Sequence, residues 1–123
     1  MKILRPIVAY SLTALAFSLV PRLAAKEINH PNQYQVCMVL AKKLPNEAFE
    51  TAISWRGLGG GDAAEHCAAA ALVGLGQYVE AAGRLEALAE KTKQDSSVKA
   101  GLLAHAAQAR LLAGQAFRAE VVL

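Results

Sequence analysis

Apolar residues recur every three to four positions along most of this chain, the spacing of one face of a helix rather than the alternation of a strand. The first predicted helix runs from Asn32 to Lys43, with Tyr34, Met38 and Ala41 on one face. Pro45 ends it and suits the first turn of a second helix. There Ala48, Ala52 and Trp55 recur along the buried side, with Phe49 and Ile53 widening the stripe. Gly57 and the run Gly59-Gly60-Gly61 stop that helix. Asp62 is expected to cap the third helix, with Glu65 completing a capping-box pair. The third helix carries Ala68, Leu72 and Leu75 and ends at Gly76. The fourth follows at once, burying Tyr78, Ala81, Leu85 and Leu88 and turning Glu80, Arg84, Glu86 and Glu90 mostly to solvent. After a polar connector, Asp95 or Ser96 caps a fifth helix from Val98 to Ala113, closed by Gly114, and a short sixth begins near Ala116. Alanine occurs 21 times in the 98 residues from Lys26 onward, against two isoleucines, so helix is favoured throughout and no sheet is expected.

The chain also resembles itself. Leu75-Gly76-Gln77-Tyr78-Val79-Glu80-Ala81 aligns with Ala113-Gly114-Gln115-Ala116-Phe117-Arg118-Ala119 at a shift of 38 residues. Lys43-Leu44-Pro45-Asn46-Glu47-Ala48 occupies the same inter-helix position 33 residues before the first of these. Periods of this length signal stacked helix pairs.

With these residues in view, the sequence resembles the tetratricopeptide repeat family. Asp62 to Lys93 carries the best match: Ala69 where two helices meet closely, Leu72, Gly76 and Tyr78 at the turn, then Ala81, Leu85 and Leu88. Ala48, Trp55, Gly114 and Ala119 mark the flanking, degenerate repeats. Pro45 stands there for the turn tyrosine, and the triple glycine for the closing proline. The resemblance implies an all-α fold of about two and a half stacked antiparallel helix pairs over residues 26–123. It also implies a protein or peptide partner held on the concave face lined by the first helix of each pair. Placing the repeats in register puts Gln33, Cys37, His66, Ala70, Ala104 and Gln108 on or near that groove.

Charge changes the picture only at the N-terminus. The whole chain carries 13 Lys and Arg against 10 Asp and Glu. Lys2, Arg5 and Arg22 all fall within residues 1–25, so the rest is neutral and offers no electrostatic case for nucleic acid. Residues 1–25 read as a secretory signal peptide: two early bases, an uncharged stretch from Ile7 to Val20, Pro21, then Leu23-Ala24-Ala25, with cleavage after Ala25. The stretch is short for a membrane span, which needs about 20 apolar residues, so membrane attachment is expected only if it stays uncleaved. A bacterial periplasmic product follows.

Export makes Cys37 and Cys67 interpretable as one disulfide, with two packed thiols as the alternative. Catalysis is not expected. His66 and Cys67 point about 100° apart on a helix, and with Cys37 they form too loose a set for a structural metal. Ser54, Ser96 and Ser97 lack a base and an orienting acid, and Gly57-Leu58-Gly59-Gly60-Gly61 lacks the Lys and Ser/Thr of a phosphate loop. That glycine run reads as a flexible connector, and Trp55 as a core anchor. No cofactor is expected. The runner-up reading is a thiol- or metal-responsive periplasmic protein using Cys37, Cys67 and His66. The last residues, Val121-Val122-Leu123, are apolar where solenoids carry a polar cap, which leaves two expectations: the tail docks on a second copy of the chain or on a partner, or the chain is a shortened member of a longer repeat family.

Overall fold

The computed structural model of the protein describes residues 26–123, together with Ile3. The leader predicted for residues 1–25, with its cleavage after Ala25, lies outside the described residues. The fold is all-α: α1 (His30–Lys43), α2 (Pro45–Trp55), α3 (Gly61–Gly74), α4 (Tyr78–Lys91), α5 (Ser96–Leu112) and α6 (Ala116–Val122). No helix among the described residues is long and apolar enough to cross a membrane.

Local chemistry sets most of the boundaries. Asn29 caps α1 by accepting the Asn32 amide at 3.1 Å, and Pro31 fits the first turn, so the helix starts ahead of Asn32. Asp95 caps α5, accepting the Ser97 and Val98 amides at 3.1 Å each and the Ser97 hydroxyl at 2.6 Å. Those bonds, the hydroxyl's foremost, hold its carboxyl below the ordinary range. The predicted cap of α3 is corrected. Its first residue is Gly61, so Asp62 falls inside the first turn and accepts the Thr92 hydroxyl at 2.7 Å instead of a backbone amide. Glu65 turns sideways to Arg56 and Arg84, at 2.8 and 3.3 Å, so no capping box closes.

The self-similar segments form the same turn. After α3, Gly76 at φ 75° donates to the Val73 carbonyl while Gln77 donates to that of Leu72. After α5, Gly114 at φ 76° donates to Leu111 and Gln115 to Arg110. Both are Schellman closures, whose left-handed residue a side chain would strain. The earlier copy at Leu44-Pro45 differs, because proline starts α2 without such a closure. The glycine run after α2 is likewise no slack linker. Arg56–Gly60 forms a single kinked turn, and Gly60 is buried against the Trp55 indole.

Each helix packs on its sequence neighbour, and α3 also lies along α1. Of the 21 buried apolar residues described, 14 are alanine, so the helices close until backbones nearly touch. A Cβ at Gly74 would sit 2.6 Å from the Ala41 carbonyl oxygen. Alanine removes little apolar surface per residue, and two stronger links supplement it. The first is the disulfide between Cys37 of α1 and Cys67 of α3, both fully buried beside Ala52, Trp55, Ala64 and Ala68. The second is Arg110, 6 % exposed, whose guanidinium grips the Glu86 carboxylate of α4 through two bonds at 2.8 and 2.9 Å. A third bond reaches the Gln115 side-chain oxygen at 2.9 Å, tying α4, α5 and the turn before α6 together. The Glu86 bonds hold the Arg110 pKa above its ordinary value.

The double variant Cys37→Ala/Cys67→Ala is expected to lose about 3 kcal/mol of unfolding free energy, the value of closing a loop of this length. A lowered urea midpoint would show it; an unchanged midpoint would mean that packing alone holds α1 on α3. Arg110→Met is expected to cost about 2–3 kcal/mol because Glu86 loses its partner. Adding Glu86→Leu should recover part of that loss in the same unfolding measurement.

Candidate functional site

The helices that lead each sequential pair, α1, α3 and α5, contribute one polar side chain apiece to a continuous hydrogen-bonded rung. The Tyr34 phenol oxygen lies 2.9 Å from His66 Nδ1, and His66 Nε2 lies 3.1 Å from His105 Nδ1. The two imidazoles meet edge to face, with centroids 5.3 Å apart. Each separation between neighbours, 32 and 39 residues, falls within one residue of the internal repeat periods.

Donor and acceptor roles along the rung are linked. When the Tyr34 hydroxyl donates to His66 Nδ1, His66 Nε2–H donates to His105 Nδ1; when His105 Nδ1–H donates to His66 Nε2, His66 Nδ1–H donates to Tyr34. Every internal site is satisfied in either direction. Burial, with the His105 charge adding to it, lowers the His66 pKa to about 4. Burial and then Lys42 lower that of His105, and burial raises that of Tyr34. All three groups are therefore neutral at pH 7.

A pocket of about 250 Å³ opens beside this rung. Ala63, Leu88, Val98 and Leu102 give it an apolar lining. Tyr34 and His66 form one polar wall, and Asp62, Thr92 and Gln94 supply the rest. Asp62 has no ion-pair partner among the described residues, its recorded bond coming from the Thr92 hydroxyl. Glu65, one turn along α3, is already occupied by Arg56 and Arg84.

Of the residues placed on a groove by register, His66 lies in this pocket. Gln33 lines a different depression between α1 and α2, with Trp55 and Leu58. Ala70 is half-buried against Ala41, Ala48 and Ala71, whereas Ala104 and Gln108 are exposed on α5. The placement of Cys37 on the groove is corrected: its sulfur is fully buried and bonded to Cys67, so it presents nothing to a surface. With both sulfurs in that bond, His66 has no thiolate beside it, and its two ring nitrogens are taken by Tyr34 and His105.

Trp55 is the core anchor expected, 3 % exposed, and it also donates its indole N–H to His30 Nδ1 at 3.0 Å. Sequence reading missed Tyr34 and His105 as partners of His66, although their spacing follows the repeat. It missed Arg110 as well. The signal was a lone arginine on the stripe that Leu102, Ala106 and Ala109 bury. Comparison with protein-family models, curated proteins and solved structures finds no match to this chain.

The lowered His66 pKa makes a signed prediction. Well above pH 6.5 the ring is neutral both folded and unfolded, and stability is at its full value. As the pH falls toward 4, the unfolded chain takes up a proton that the folded chain resists, so stability declines. The expected loss is about 2 kcal/mol, discounted for partial exposure of the ring. His66→Gln should flatten the urea-derived stability profile across this window, and a profile with the wild-type slope would count against the assignment.

Proposed function

We propose that this chain is a non-catalytic protein-interaction module of the bacterial periplasm, built from tetratricopeptide-like helix pairs. The observation that carries the reading is the shared face of α1, α3 and α5, crossed by the Tyr34–His66–His105 rung and holding the pocket beside it. First helices bring their side chains together on one face when hairpins stack in parallel register. The matching closures at Gly76-Gln77 and Gly114-Gln115 support the same repeat logic, since identical turns set successive helices at like angles. The leader-like composition of residues 1–25 and the Cys37–Cys67 bridge support an oxidising compartment outside the cytoplasm.

A second surface bears on self-association. α6 buries Ala119 and packs Val122 against the α4–α5 core, while Phe117, Val121 and Leu123 are 77 %, 72 % and 81 % exposed. An apolar end of this kind fits a second copy or the next element of an array.

Site-specific photo-cross-linking in intact cells tests the proposal. A photoreactive residue at Ala104, exposed on α5, is expected to capture a heterologous protein reproducibly, whereas one at Glu90, exposed on α4, captures none. Equal capture from both positions, or none from Ala104, would overturn the assignment of the binding face. Capture of only further copies of this chain would assign the module to self-assembly through its apolar end.

A further inference from the structure

We infer that the pocket between α1, α3 and α5 is a subsite for a lysine side chain of the bound segment. The inference rests on the interaction reading above and names the chemistry its partner must bring. Three features select this occupant over an aliphatic or acidic one. Asp62 is the one charged side chain lining the pocket, and no base neutralises it among the described residues. Its Oδ2 accepts the Thr92 hydroxyl, which leaves Oδ1 for an incoming cation. Ala63, Leu88, Val98 and Leu102 form an apolar floor on which a four-carbon stem lies well, because lysine buries its methylenes while its ammonium stays at a polar rim.

Tyr34 completes the selection. It lines the same pocket, and an aromatic ring there attracts a cation through its π system. In the rung direction where the phenol donates to His66, its oxygen also keeps a lone pair for an N–H donor. The histidines behind it are neutral at pH 7, so the pocket wall carries no opposing positive charge. An anionic side chain would meet the Asp62 carboxylate instead and be repelled. A cavity of about 250 Å³ holds one long side chain and bridging water, and is too small for a folded element.

The test is a titration of isotope-labelled protein with three small probes, followed through amide chemical shifts. N-acetyl-lysine amide, N-acetyl-norleucine amide and N-acetyl-glutamate amide share a backbone and differ in the side-chain tip. Lysine amide is expected to shift the amides of Asp62, Ala63, Val98 and Leu102 and to bind about three- to fivefold more tightly than norleucine amide. Glutamate amide should bind more weakly than either. The lysine preference should shrink as sodium chloride rises from about 20 to 500 mM, and vanish in Asp62→Asn.

Equal binding of lysine and norleucine amides in the wild-type protein would overturn the inference, and that comparison needs no variant to fold. A lysine preference that survives Asp62→Asn in a variant with native chemical-shift dispersion would also overturn it. Failure of the two readings stays distinguishable. A partner captured from Ala104 without a lysine preference sinks the subsite and leaves the interaction module; a lysine preference without any captured partner does the reverse.

Discussion

Close approach between helix backbones is the constraint on which this structure depends. Alanine supplies two-thirds of the buried apolar positions described, and a helix faced with alanine gains from packing only when its neighbour comes near. The Gly74 backbone therefore runs against the Ala41 carbonyl, where no side chain would fit. Such packing gives precise spacing but little transfer free energy per residue. The Cys37–Cys67 bridge and the Arg110–Glu86 pair supply cohesion that a larger apolar core would otherwise give. They divide the task by location: the bridge joins α1 to α3, and the arginine joins α4 to α5 and the turn leading into α6.

Close spacing also explains the polar rung. Where three neighbouring helices would bury polar side chains, those side chains must satisfy one another, because water cannot reach all of their atoms. Tyr34, His66 and His105 do so in a line across the three helices. The line fixes the lateral order of α1, α3 and α5 without adding net charge, as both imidazoles titrate below their ordinary value. The pocket beside it owes its shape to the same elements, so the mouth of the site and the frame of the fold are not separable parts.

Much of the architecture was legible in the sequence because helix boundaries are local events. Proline at 45, glycine at 76 and 114 and aspartate at 95 act through their own backbone or the next turn, and each marks an observed boundary. Asp62 was misread because its partner, the Thr92 hydroxyl, lies 30 residues away at the end of α4. The glycine run was misread for a related reason: what fixes Gly60 is the Trp55 ring against it. The candidate site was half visible. His66 stood out as a residue type, but its partners come from helices 32 and 39 residues distant. Cys37 was placed on the groove by a register that carried no information about which flank of α1 faces α3. Arg110 stood on the buried stripe of α5, but nothing local to either residue says that Glu86 of α4, 24 residues earlier, comes to meet it.

The bridge between Cys37 and Cys67 has a consequence for how the native covalent structure is reached. With two cysteines in the entire chain, one intramolecular pairing exists, so no wrong isomer can form within a single molecule. An oxidant alone completes the link, without the thiol–disulfide reshuffling that proteins richer in cysteine require. Once α1 and α3 have closed around them, both sulfurs lie beyond the reach of solvent reductants unless the helices part. Oxidation thus turns a reversible association of two helices into a permanent feature of the molecule.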